Sequence, residues 1–90
     1  NDYNAIDSHV LAVGRNRMVF TLGSFWTGIK MVEMDRKTGK PIPGAPVRPL
    51  ARRPNPGAVE APFLVRNGDW YYLFVSFDFC CRGARSTYNI

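Results

Sequence analysis

Residues 58–65 read AVEAPFLV. One carboxylate, Glu60, stands inside an apolar run, Pro62 follows, and then comes a stretch with the composition of a buried strand. A charge at the mouth of an apolar strand is costly unless it is paired or used. Downstream, residues 63–65, the turn RNGD with Asn67-Gly68, and WYYLFVSF at 70–77 predict a hairpin. Sliding the chain by 53 residues uncovers a second copy of this unit: Asp7 falls on Glu60, Val10 on Phe63, Leu11 on Leu64, Phe20 on Leu73 and Leu22 on Val75. Each copy reads as a carboxylate, two residues, a short apolar strand, a turn, a longer apolar-aromatic strand, a loop and a third strand.

The remaining segments fit an all-β chain. Strands are predicted at 10–13, 18–25 and 29–34, with an outer strand at 47–51 that Pro49 confines to an edge. Residues 35–41 (DRKTGKP) form a polar loop, and residues 52–57 (RRPNPG) form a loop that marks a unit boundary. Residues 78–85 are a loop and residues 86–90 begin a further strand. No helix of three turns is predicted. Four antiparallel strands in roughly 40–50 residues is the period of a propeller blade. The chain is therefore read as one blade at about 1–53 and most of the next at about 54–90. The first strand of each blade lines the central channel, so Asp7 and Glu60 are expected to meet at one end of it. Either acid alone would read as a turn or capping residue. Two in register, converging on a partly apolar concavity, match the paired carboxylates of glycosidases.

Composition excludes several other classes. The chain has 90 residues, 46% hydrophobic and 13% aromatic, so it is no disordered tail. It contains neither an apolar run of membrane-spanning length nor a visible signal peptide. Twelve Lys and Arg against seven Asp and Glu give a net charge of +5. The basic residues are scattered at turns, only Arg52 and Arg53 are adjacent, and no RNA-binding motif accompanies them; an ordinary solvated surface is expected, not a nucleic-acid interface. The two cysteines, Cys80 and Cys81, are neighbours and cannot staple distant segments. They are read as two reduced packing thiols in a strand-end loop; a vicinal disulfide would demand a tight local geometry.

The wording of the motifs is specific. NAIDSHV (residues 4–10), GSFWTGIKMVEMD (23–35), LARRP (50–54), VEAPFLV (59–65), YYLFVSFDFCCRG (71–83) and STYNI (86–90) resemble the endo-α-1,5-L-arabinanases of glycoside hydrolase family 43, in order and over nearly the whole chain. The family pattern NAIDPH has Pro where this chain has Ser8. The resemblance implies a five-bladed β-propeller that hydrolyses arabinan with inversion, using three carboxylates. It makes Asp7 the residue that orients the acid and tunes its pKa, and Glu60 the general acid. The general base belongs to a His-Asp-Pro motif on a first-blade strand, which nothing here matches; Asp2 is the only other acid near the N-terminus. Five blades need roughly 200–250 residues or more, so the chain is expected to be an internal fragment.

The resemblance implies that Asn4, Ser24, Phe25 and Trp26 lie at the channel mouth, the rings suited to furanose faces and the polar groups to hydroxyls. Arg82 is read as a further substrate contact reaching the pocket, with support of the loop as its competing role; inter-blade packing is the competing role for Trp26. His9 is expected to be structural. No metal ligands are assigned and no cofactor is expected within this segment, although a central-channel ion such as calcium fits the complete enzyme. The expected partners are arabinan or arabino-oligosaccharide, and the remaining blades or copies of the chain, with no nucleic acid and no membrane. The resemblance favours an extracellular location. The alternatives are an exo-acting arabinofuranosidase or β-xylosidase of the same family, and a non-catalytic carbohydrate-binding propeller module.

Overall fold

The computed structural model describes residues 3–54 and 58–90, which form seven strands and one short 3-10 turn. The strands are β1 (Ile6–Ala12), β2 (Arg17–Gly23), β3 (Ile29–Asp35), β4 (Lys40–Pro41), β5 (Arg48–Ala51), β6 (Val59–Asn67) and β7 (Trp70–Phe77); the turn is Gly83–Arg85. Asn1, Asp2 and the part of the predicted boundary loop at 55–57 lie outside the described residues.

The first sheet is an antiparallel meander of β1, β2 and β3. Its fourth row is split. β4 pairs with the C-terminal end of β3 and β5 with the N-terminal end. The expected edge strand is therefore only half of that row. Prolines 41, 43, 46 and 49 carry no N–H to donate, which prevents one continuous ladder there. β6 and β7 form the second sheet, and Phe77 bridges to Asn89 where a further strand was expected to begin.

Both first strands start earlier than their apolar runs suggest, because each passes through a bulge. Pairing is interrupted between Ile6 and His9 in β1 and between Glu60 and Phe63 in β6. Asp7 and Ala61 occupy the left-handed region at these bulges, both with φ of 51°. Pro62 follows Ala61 without ending the strand, since a bulge needs no donor at that point.

The pairing also refines the repeat, because the turn between β1 and β2 is one residue longer than that between β6 and β7. β2 and β7 correspond at the expected offset of 53, with Gly23 opposite Ile6 and Ser76 opposite Glu60. β1 and β6 correspond at 54: Ile6 matches Glu60, and Asp7 matches Ala61. The two carboxylates are thus one position out of step, and Ser8 matches Pro62.

β1 and β2 pack against β6. By strand alternation, Val19 and Met31 face one side of the first sheet, and with Leu64 and Leu73 they line the seam between sheets. Ile29, Thr21 and Ser24 are fully buried. His9 serves packing as expected: its Nδ1 accepts the Leu64 N–H at 3.3 Å and its ring lies 4.5 Å from that of Phe63. The far faces are uncovered. Val10 is about half exposed on one side, and Phe63, Tyr72 and Phe74 on the other.

Candidate functional site

The bulged starts of β1 and β6 lie at the same end of the molecule, and a cavity of about 670 Å³ opens there. β1 and the residues before it contribute Asn4, Ile6 and Asp7; β6 contributes Glu60 and Ala61; β7 contributes Ser76. Phe25 and Trp26 come from the turn between β2 and β3. Cys80, Cys81 and Tyr88 come from the segment after β7.

Glu60 is only 8% exposed. Burial, and secondarily the negative charge of Asp7, raise its pKa above the usual carboxylate range. Both effects disfavour the ionised form. The approach of the sheets that buries Glu60 depends on Gly23: a Cβ there would sit 3.1 Å from the Glu60 Cα and 3.3 Å from the Ala61 nitrogen.

The aromatic wall is held by a hydrogen-bonded turn. Gly28 N–H donates to the Ser24 carbonyl at 2.8 Å, and Thr27 N–H to the Ser24 hydroxyl oxygen at 3.3 Å. Gly28 takes a φ of 87°, and a Cβ there would lie 2.2 Å from the Ala51 carbonyl oxygen, so only glycine fits. The turn projects Phe25 and Trp26, the latter 64% exposed, into solvent at the cavity rim. Trp26 also borders a second cavity with Arg52 and Pro54.

Of the residues expected from sequence, Asp7, Glu60, Asn4, Phe25 and Trp26 come together here. Ser24 does not reach the cavity. It is fully buried, and its hydroxyl donates to Asn4 Oδ1 at 2.8 Å. Arg82 lies outside the lining, with its guanidinium 4.1 Å from the Phe79 ring centroid, which is the loop-supporting role. The reading of Cys80 and Cys81 as reduced thiols is corrected: they are joined as a vicinal disulfide. The left-handed backbone of Cys81 turns the chain so that adjacent sulfurs meet. Ser76 and Tyr88 were missed. Tyr88 lies in STYNI, which reads as the start of a strand, and it lines the cavity. Among the described residues no group of three or more His, Cys, Asp or Glu is placed to hold a metal ion.

No protein-family model matches the chain. It is 46% identical over its full length to the extracellular endo-α-(1→5)-L-arabinanase 1 of Bacillus subtilis, spanning 28% of that protein. It is 32% identical over 98% of its length to the extracellular exo-α-(1→5)-L-arabinofuranosidase of Cellvibrio japonicus, again spanning 28%. A crystal structure of an exo-1,5-α-L-arabinanase from a bovine ruminal metagenomic library superposes with a TM-score of 0.84 at 42% identity, covering 98% of this chain and 29% of that one. The chain belongs to the arabinanases. Its two sheets are part of an arabinanase β-propeller, as the repeat predicted. The chain spans well under a third of the length of the arabinanases it matches.

Proposed function

We propose that this chain supplies the proton-donating half of an active site that hydrolyses α-1,5-linked L-arabinan. The observation that carries the reading is the buried Glu60, its pKa raised, sharing an open cavity with Asp7. A general acid must hold its proton at the working pH, and burial beside a second carboxylate does that. In this reading Glu60 protonates the glycosidic oxygen as the bond to the anomeric carbon breaks. Asp7 keeps Glu60 protonated and oriented. A water activated by a base from another blade attacks the opposite face, giving inversion. Phe25 and Trp26 take the apolar face of a furanose ring. Asn4, whose Oδ1 is engaged by Ser24, offers its Nδ2 donors to a hydroxyl.

The decisive experiment is Glu60→Gln in the complete protein. Activity on arabinan should fall roughly 10²- to 10⁴-fold, the span of general acid catalysis. Aryl arabinofuranosides, whose leaving groups need little protonation, should lose far less. Equal loss on both substrates would overturn the assignment.

Exo action is a second reading, favoured by the likeness to an exo-acting relative and an exo-acting structure. Early products from a long arabinan separate the two. A ladder of oligosaccharides marks internal cleavage, and a single short product marks cleavage from an end.

A further inference from the structure

The disulfide between Cys80 and Cys81 has no conventional structural purpose. A disulfide stabilises a fold mainly by closing a loop of chain, and a bond between adjacent residues closes almost none. What it fixes is where two sulfur atoms sit. Both residues line the cavity that holds Glu60 and Asp7.

The loop that presents them is held firmly from behind. The Asp78 carboxylate accepts hydrogen bonds from Arg53 and Asn89. Thr87 N–H donates to the Phe79 carbonyl at 2.9 Å, and Arg82 N–H to the Ser86 hydroxyl at 2.9 Å. Cys81 also accepts a left-handed backbone, with φ of 67°. Three of the four non-glycine residues in that region among the described residues, Asp7, Ala61 and Cys81, line this one cavity. Backbone cost of this kind concentrates where position matters for binding or chemistry.

We propose that the disulfide is a substrate-contacting wall of this site, an apolar plate against which the C–H face of an arabinofuranose ring packs. The inference rests on the arabinan reading above. Sulfur is soft and polarisable and adapts to irregular apolar surfaces. A disulfide has no hydrogen to donate, so it does not compete for the sugar hydroxyls, and bonding two neighbouring side chains removes their rotamer freedom before the ligand arrives. Phe25 and Trp26 provide an aromatic surface in the same cavity, and the disulfide provides a thinner apolar one.

The test uses the complete protein carrying Glu60→Gln, so that binding is measured without turnover. Calorimetric titration with α-1,5-linked arabinotriose is compared in three forms: oxidised, reduced with a phosphine, and carrying Cys80→Ser with Cys81→Ser. We expect roughly tenfold weaker binding in the reduced and double-serine forms, with the fold retained by circular dichroism. Equal affinity in the oxidised and reduced forms would overturn the proposal even if the double-serine protein failed to fold. Unfolding on reduction would overturn it too, because the bond would then be a staple. If the oxidised form binds the trisaccharide and the reduced form binds it equally, only this inference falls. If the folded oxidised form binds none, the arabinan reading falls and takes this inference with it.

Discussion

Glu60 illustrates how one side chain acquires a property that its neighbours impose. Burial is the larger cause of its raised pKa and Asp7 the smaller. This order has a measurable consequence. In the proposed role Glu60 acts when protonated, so activity is expected to fall as pH rises through its pKa. Asp7→Asn removes the negative neighbour and should move the basic limb of the pH–rate profile to lower pH, while burial still holds that limb above the ordinary carboxylate range. An unchanged basic limb with normal activity would exclude Asp7 from the site. At this scale the sequence was legible where a residue type has few uses in its setting. A carboxylate in an apolar strand and two adjacent aromatics in a turn were both expected at the candidate site, and the structure places them around one cavity. It was misleading for Ser24 and Arg82, which sit in the same motifs but turn inward to Asn4 and sideways onto Phe79. Which way a side chain points is set by the turn holding it, and residue type alone does not encode that.

Strand order and the hairpins were readable from alternation and turn residues, because period-2 patterning survives without any structure. The bulges were not. Nor was the turn between β1 and β2 legible as one residue longer than that between β6 and β7; because of it a gapless comparison places Asp7 on Glu60 when the strands place it on Ala61. The carboxylates meet nonetheless, because β1 and β6 are packed at their bulged ends. That packing is the part of the site most sensitive to bulk. Gly23→Ala would press a methyl group to within 3.1 Å of the Glu60 backbone, tighter than ordinary contact. The expected cost is about 1–3 kcal/mol of stability, with Glu60 displaced and kcat reduced more than KM. Thermal unfolding together with steady-state kinetics checks both, and a kcat matching the parent enzyme would show that β2 does not position the acid. The loop after β7 obeys a different rule. Arg53 and Asn89 hold the Asp78 carboxyl below its ordinary value of 3.8. The folded state therefore binds fewer protons than the unfolded chain in that range, and stability is lost as pH falls through the lowered pKa. Asp78→Asn should flatten that acid dependence and loosen the cysteine loop, seen as a thermal midpoint that varies less between pH 5 and pH 2 than in the parent.

At the scale of the molecule, the two sheets bury one seam between them and leave two faces open. Among the described residues the buried apolar side chains are few: Leu22, Ile29, Val32, Ala58, Val59 and Leu64. Against them stand Phe63, Tyr72 and Phe74 on the outer face of the second sheet and Val10 on the outer face of the first, each about half exposed, where a propeller would set its next blades. Apolar area of that extent drives association, and among the described residues β7 has a single bridge along its outer edge, leaving an open ladder. The cavity is likewise one-sided: among the described residues it is lined by two carboxylates, Asp7 and Glu60, and their proposed roles leave neither as base for the attacking water. We therefore expect the 90 residues in isolation to self-associate and to leave arabinan uncut, while the same residues within the complete protein form a monodisperse, active enzyme. Sedimentation velocity across a concentration series, run beside an arabinan digestion assay, checks both halves. A concentration-independent monomer would show that the outer faces need no covering. Arabinan cleavage by that monomer would show that the base lies within this chain, and the division of labour between blades would have to be redrawn.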